Sequence, residues 1–359
     1  MMKRRQFFLV SALTAAGVIA GAPAIHANTK FSWKLVTSWP PNYPILQTSI
    51  EAMAKRIEQM SEGRLAIRVY AGGELVPALE VFDAVSAGTV EMGNGASYYW
   101  AGKVPEAQFF TSIPFGFNAQ QMSAWLNFGG GLELWNKAYE PFNLIVMPAL
   151  ETGAQMSAWY KKEIKSLADL KGLKMRAPGL GAKAMAKAGV SIVLLPGGEL
   201  YTALERGVID AADWIAPYHD MALGLHRAAS YYYHPGWREP CGVCELTVNR
   251  TAWDSLPKDL QAIVRAAAAE NYVKTLAEFD VNNAQALREL RETYKVKVTR
   301  YPDDVLRAFK KYASETIQEL AAVSQNARAI YDSYHAFAGK VGPWTEKSQR
   351  AYMAAKDVM

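Results

Sequence analysis

The sequence predicts an α/β protein of two similar lobes with a ligand cleft between them. Three observations carry that prediction: an internal repeat, an alternation of strand-like and helix-like segments, and two stretches where the chain passes between its halves. In the repeat, Gly72-Gly73-Glu74-Leu75 and then Ala78-Leu79-Glu80 are echoed by Gly197-Gly198-Glu199-Leu200 and then Ala203-Leu204-Glu205. Each copy continues with a glycine, one residue, an aliphatic and an acid, Gly88-Thr89-Val90-Glu91 and Gly207-Val208-Ile209-Asp210. Alignment on those glycines sets Asn94 opposite Asp213. Both fall just past a short strand, where open α/β sheets bind ligands.

The elements follow from local pattern. Phe31–Thr37 and Arg64–Tyr70 alternate or are β-branched, and read as strands. Pro44–Ser61 between them has helical spacing, with Ile45, Ile50, Met53 and Ile57 on one side. Glu62-Gly63 ends that helix, because glycine accepts the left-handed conformation. Pro77–Ala87 reads as a helix with proline in its first turn, and Val90–Asn94 closes the unit. The second unit lies within Gln155 to Ile215: strand Leu173–Arg176, helix Gly179–Ala188, strand Ile192–Leu195, helix Gly198–Arg206 and strand Val208–Ala212. Alternation on this scale predicts parallel sheets covered by helices.

Phe142–Leu150, running into Gln155–Tyr160, is one crossing; Val243–Val248, after the aromatic segment Tyr231–Trp237, is the other. Paired hinge strands of this kind suit closure around a ligand. Lys258 to about Thr293 contains no proline or glycine and predicts one long helix, spanning the lobes or lying along the outside. Asp303–Val323 and Ala327–Tyr334 are further helices, and Pro343–Met359 is a short amphipathic end.

Residues 1–27 read as an export signal. Lys3, Arg4 and Arg5 precede the uncharged run Phe7–Ala22, and Ile25-His26-Ala27 offers a cleavage point. The adjacent arginines fit a twin-arginine signal, and an ordinary secretory signal equally. Removing 27 of the 359 residues leaves 332, a length that suits about two domains. The net charge of +5 loses the three signal charges and falls to +2. A near-balanced chain without basic patches alternating with aromatics excludes nucleic acid as a partner.

The expected fold class is therefore an α/β, two-lobed periplasmic binding protein with hinge strands, a long spanning helix and a C-terminal helical tail. Its expected division is 28–150 for the first part of lobe I, 151–240 for lobe II, 241–325 for the return to lobe I and the long helix, and 326–359 for the tail.

A catalytic reading lacks its residues. Beyond the signal stand His219, His226, His234 and His335, none in a recognised metal pair, and there is no nucleophile elbow or phosphate loop. Cys241 and Cys244 are spaced Cys-Gly-Val-Cys, which an oxidising compartment would permit as a tight disulfide or a redox pair. They precede an apolar strand late in the chain, whereas redox motifs of the thioredoxin type open a helix early in a small domain. A periplasmic oxidoreductase is thus the rival from a different class.

Arg176 is the clearest binding candidate. It ends an apolar strand before Ala177-Pro178-Gly179, and its guanidinium offers two parallel donors to a carboxylate; its alternative is a structural ion pair. Gln155, Asp213 and the carbonyl of Trp214 together offer hard oxygen to a cation such as Na⁺ or Ca²⁺, and a substrate carboxylate would complete the shell. Asp213 has the alternative of capping the following helix. Asn94, Tyr98, Tyr99 and Trp100 are wall candidates; Tyr98 and Tyr99 face opposite ways if the segment is extended. The aromatic run Tyr231 to Trp237 suits a core as well as a site, and Glu239 is placed to order Arg176 or a cation from behind.

At these residues the chain resembles the periplasmic solute-binding proteins of tripartite ATP-independent periplasmic (TRAP) transporters, in the branch that binds 2-oxo acids or calcium lactate. The resemblance rests on Trp33 to Trp39, Gly72 to Gly93, Leu173 to Gly179, Gly207 to Asp220 and Tyr231 to Pro240. It implies a ligand carboxylate on Arg176 and a cation bridging ligand and protein through Gln155, Asp213 and the Trp214 carbonyl. That branch has glutamate where Asp213 stands; a carboxylate one methylene shorter moves the cation toward the strand, changes its identity or dispenses with it. The expected function is an extracytoplasmic receptor, not an enzyme, that delivers a small 2-oxo or 2-hydroxy monocarboxylate to the TRAP permease subunits. A metal-independent receptor for a larger or aromatic anion is the rival within that class. Some members of the branch form homodimers by exchanging a C-terminal helix, and the tail with Trp344 and Tyr352 is compatible with that.

Overall fold

The computed structural model describes residues 30–356; the expected export signal lies outside the described residues. Strand β1 (Phe31–Thr37) pairs in parallel with β2 (Leu65–Tyr70) on one side and β3 (Met92–Gly95) on the other. β4 (Leu144–Glu151) forms the far edge of this sheet. After a crossing, β5 (Ala158–Tyr160) enters a second sheet, in which β6 (Lys174–Arg176) lies parallel between β7 (Ser191–Val193) and β8 (Ala211–Ala212). β9 (Tyr231–His234) pairs with β5, and β10 (Val243–Asn249) returns to the first sheet between β3 and β4.

β11 (Lys297–Arg300) closes the second sheet beside β9. The orders are β2-β1-β3-β10-β4 and β11-β9-β5-β8-β6-β7. The repeat therefore has a topological counterpart. β2-β1-β3 matches β7-β6-β8, and an antiparallel crossing strand lies next to β3 and to β8 alike.

Apolar periodicity becomes core as expected. Ile50, Met53 and Ile57, on the inner face of helix Thr48–Met60, are fully buried with Leu35, Met92 and Leu246 of the first sheet. That helix ends with Glu62 and Gly63 both left-handed, at φ 53° and 75°. Leu200 and Leu204 do the equivalent work in the second lobe. The expected helix over Pro77–Ala87 is shorter, Val81–Ser86, because Pro77–Glu80 forms a separate turn with Glu80 N bonding to Pro77 O.

Helices Ala119–Phe128 and Gly131–Tyr139 were not expected from periodicity. Asn118 and Gln121 form a reciprocal capping box at the start of the first. Phe110 stacks on Trp125 and Trp135, at centroid distances of 5.6 and 5.0 Å.

The long helix Lys258–Glu292 is continuous over 35 residues, about 52 Å at 1.5 Å per residue. Its first half packs on β4 and helix Thr48–Met60; further on, Phe279 stacks on His219 of the second lobe. It is thus a third crossing. Because it delivers the chain to β11, and helix Asp303–Ala321 then packs on helix Gly179–Lys187, the stretch after the long helix belongs to the second sheet. Within the expected 241–325 segment, β10 returns to the first sheet, but β11 and helix Asp303–Ala321 lie with the second.

The two strand crossings lie side by side, with Thr152 N bonding to Gly242 O at 3.0 Å and Gln155 N to Glu239 O at 3.2 Å. Glu151 ties them to the long helix: its Oε1 accepts from Gly153 N and Gly242 N, and its Oε2 from Tyr272. The tail helix Gln325–Thr345 runs through Pro343 instead of ending near Tyr334, and Ala351–Lys356 extends it. Thr345 and Gln349 bond to Gln121 and Asn118, while Trp344 and Tyr352 remain 70% and 66% exposed. Among the described residues no helix is long and apolar enough to cross a membrane.

Candidate functional site

The carboxyl ends of β6 and β8 bring Arg176, Asp213 and Trp214 together at the junction of the lobes. Arg176 is 1% exposed. Its Nε donates to Leu195 O at 3.0 Å, Nη1 to Asp213 O at 2.7 Å and Nη2 to the Tyr99 hydroxyl at 3.4 Å. A guanidinium has five N–H groups, so one remains on each terminal nitrogen. The cation also lies 5.0 Å over the Trp214 ring. Trp214 is held in turn, its Nε1 donating to the Tyr43 hydroxyl, which donates to His219 O. Tyr43 comes from the first lobe, so this chain of bonds joins the two walls.

Asp213 does not cap a helix. Its carboxylate forms a buried ion pair with Arg238, both side chains being 2% exposed. Arg238 also donates to Ser157 O. Burial opposes the charge of Arg238, but Asp213 beside it prevails and raises its pKa. For Asp213, burial raises the pKa against the pull of Arg238 and Arg176. Sequence reasoning passed over Arg238 as part of an aromatic stretch. Its available signal was Gly181, inside a helix: a Cβ there would meet Cβ and Cγ of Arg238 at 2.7 Å.

Gln155 and Glu239 meet at the paired crossings. Gln155 Nε2 donates to Thr152 Oγ1, which donates to Gly153 O. Glu239 is pushed up to about 8, first by burial and then by the charge of Asp213. Gln155 Oε1, Asp213 Oδ2 and Glu239 Oε2 are all buried without any hydrogen-bond partner. Buried oxygens are satisfied in the great majority of cases. Three orphans in one neighbourhood, all hard acceptors, fit a bound cation or a donor-bearing ligand. Among the described residues no cluster of three His, Cys, Asp or Glu side chains exists to hold a metal, so any cation here uses amide and carbonyl oxygen beside the acid.

Gln155 and Trp214 line a closed cavity with Tyr98, Tyr99 and Trp39 of the first lobe. Thr111, Thr152 and Cys244 complete much of its wall. Its volume of about 10 Å³ is the room of roughly one water, so anything larger enters only as the walls part. Tyr98 and Tyr99 both reach it because Ser97–Trp100 is a 3₁₀ turn, not an extended segment. Burial raises the Tyr99 pKa to about 12, against the lowering effect of Arg176.

Two expected wall residues turn elsewhere. Asn94 spends its amide on Trp39 Nε1 and Glu245 O; it positions Trp39 and does not line the cavity. Trp100 lies in the first lobe's core, bonded to Tyr139.

The remaining candidates for chemistry are sequestered. Cys241 and Cys244 are buried free thiols, and burial pushes both pKa values well above the ordinary thiol range. A thiol so placed is a poor nucleophile. Burial lowers His219 to about 4, its Nε2 resting 2.9 Å from Pro44 O.

Two lobes joined by paired crossings, with an arginine, an acid and orphaned oxygens facing aromatic rings across a closing cleft, define a solute-binding protein. The family model for bacterial extracellular solute-binding proteins, family 7, matches residues 35–323, and the chain belongs to that family. It is 43% identical, over 98% of each chain, to the monocarboxylate 2-oxoacid-binding periplasmic protein of Nostoc sp. (strain PCC 7120). Among solved structures it is similar to a TRAP transporter solute-binding protein from Bordetella bronchiseptica RB50. The two are 38% identical with a TM-score of 0.90, over 92% of this chain and 98% of that one. That protein is described as a mixed-occupancy dimer, with copurified calcium and picolinate in one active site and the other site apo. A TRAP periplasmic solute-binding protein from Pseudoalteromonas atlantica, with bound sodium and pyruvate, is 39% identical with a TM-score of 0.88, over 91% and 99% of the two chains.

Proposed function

We propose that this receptor captures a small monocarboxylate bearing a 2-oxo or 2-hydroxy oxygen, with Na⁺ or Ca²⁺ bridging ligand and protein, and delivers it in the periplasm to a TRAP permease. The observation that carries this reading is the set of unpartnered buried oxygens on Gln155 and Asp213 beside Arg176. The cation supplies positive charge between those oxygens and the acid. Arg176 takes the carboxylate by exchanging its longest bond, to Tyr99, for a charge-assisted fork. Asp213 is kept in place by Arg238, and Gln155 by Thr152. Glu239 completes the acidic side from behind, and Tyr98, Tyr99 and Trp214 form the walls. Contacts from both lobes favour the closed state.

The relatives' bound calcium, sodium and pyruvate agree with this reading. Two identical chains could also pair through the exposed Trp344, Tyr352 and Met353 of the tail. The ring-rich wall supports one second reading, a cation-free receptor for a larger or aromatic anion. Calorimetric titration of pyruvate into chelator-treated protein, with and without added Ca²⁺ or Na⁺, separates the two. Binding restored by a cation supports the bridge, whereas undiminished binding in a sodium-free buffer containing chelator supports the second reading.

A further inference from the structure

Among the residues lining the cavity, two carry a buried polar atom without a partner: Gln155, through Oε1, and Thr111, through Oγ1. Gln155 lies on the crossing that leads into the second lobe, and Thr111 faces it from the first. Thr111 ends the short helix Gln108–Thr111 of the first lobe and is 1% exposed. A buried hydroxyl left unpaired destabilises the fold relative to an apolar group of the same shape. Valine would fill this position at nearly equal volume without that penalty, so the hydroxyl calls for a partner. The neighbouring Ser112 does not answer it, since its own Oγ is unpartnered too.

We infer that Thr111 is a hydrogen-bonding contact from the first lobe to the bound acid, its hydroxyl donating to a ligand oxygen. This rests on the receptor reading above and extends it. Arg176 and Asp213 belong to the second lobe and Gln155 to the crossing that leads into it, so these three can hold an acid with the cleft open. A donor on the opposite wall reaches the acid only when the lobes are shut. Thr111 therefore supplies free-energy difference between open and closed liganded states, which is what closure requires. It also sets a specificity: the ligand must present oxygen, not only hydrocarbon, toward the first lobe.

The test compares Thr111→Val, Thr111→Ser and Arg176→Ala with the parent, using calorimetric titration of pyruvate in the presence of Ca²⁺ and thermal unfolding without ligand. A lost bond to a charged oxygen predicts that Thr111→Val weakens binding roughly 10- to 100-fold. Thr111→Ser stays within about threefold. Without ligand, Thr111→Val melts at or above the parent temperature, because its orphan hydroxyl is gone; a purely structural threonine would give the opposite sign. Parent-like affinity in Thr111→Val, while Arg176→Ala loses binding, overturns this inference and leaves the receptor reading intact. A lower unliganded melting temperature with unchanged affinity also overturns it. If the parent binds no acid with any cation, the receptor reading fails and this inference with it.

Discussion

Asp213→Asn removes one charge while keeping the shape of the site, and its consequences follow from two contacts. Oδ1 faces Arg238, and both side chains are 2% exposed. Breaking a buried ion pair by neutralising one partner costs about 3–5 kcal/mol. Glu239 moderates this: Asp213 is one of the charges that raise its pKa to about 8 and Arg238 one that lowers it, so without Asp213 it ionises more readily beside Arg238. The loss therefore falls near the lower end, about 3 kcal/mol. With an unfolding entropy of roughly 0.7 kcal/mol/K for a chain of this size, that lowers the Tm by roughly 4 °C.

The second contact is the orphan Oδ2. An amide cannot offer the anionic oxygen there, so the cation is lost and acid affinity falls by about 100-fold or more, near 2.7 kcal/mol. Calorimetry with pyruvate in Ca²⁺ and in chelator, beside thermal scans, reads both effects. Chelator weakens the parent but leaves the variant as it was. An Asp213→Asn protein that keeps parental affinity and still responds to chelator would refute the placement of the cation on this carboxylate.

Gly242→Ala would put a methyl 2.6 Å from both Gln155 Nε2 and Thr152 Oγ1, forcing both to shift. Affinity should fall by about tenfold, with a stability loss of about 1–3 kcal/mol; calorimetry showing the parental value would mean that Gln155 is not held by this packing. Burial raises Glu245 to about 8 and Asp220 to about 7. The folded state thus retains protons that the unfolded chain releases near pH 4. Their contribution is complete below that pH and declines as pH rises through 7 to 8, so cation-free protein should melt higher at pH 5.5 than at pH 8.5. Glu245→Gln should flatten the upper part of that slope, and a slope unchanged in this variant contradicts the assignment. Cys241, buried away from the cavity, should resist a thiol reagent until denaturant is added, and the Cys241→Ser variant should bind pyruvate within about threefold of the parent. Rapid labelling of native protein with insulin reductase activity would revive the oxidoreductase.

The fold was legible where a repeated local pattern and a tertiary requirement coincide. The glycine-anchored repeat, the apolar face of Thr48–Met60 and the unbroken Lys258–Glu292 helix are each written over many neighbouring residues. β11 was not, because pairing with β9 is decided by where a 35-residue helix deposits the chain. In the site, the structure brings Arg176, Asp213 and Trp214 together at the carboxyl ends of β6 and β8, and gathers Gln155, Trp214 and the two tyrosines around one cavity. Asn94 holds the position equivalent to Asp213, yet its amide can satisfy itself between Trp39 and a carbonyl, so it became a support. Arg238 and Thr111 were missed for a different reason. Each lies in an ordinary-looking segment, and only the folded chain shows that one neutralises Asp213 while the other lacks a partner.

A crystal structure of the protein grown with pyruvate and Ca²⁺ tests the central claim most directly. The account predicts a closed molecule with the carboxylate on Arg176 and a cation at about 2.3–2.6 Å from Gln155 Oε1, an Asp213 carboxylate oxygen and the Trp214 carbonyl. Pyruvate bound away from Arg176, or a cation held by other residues, would contradict it.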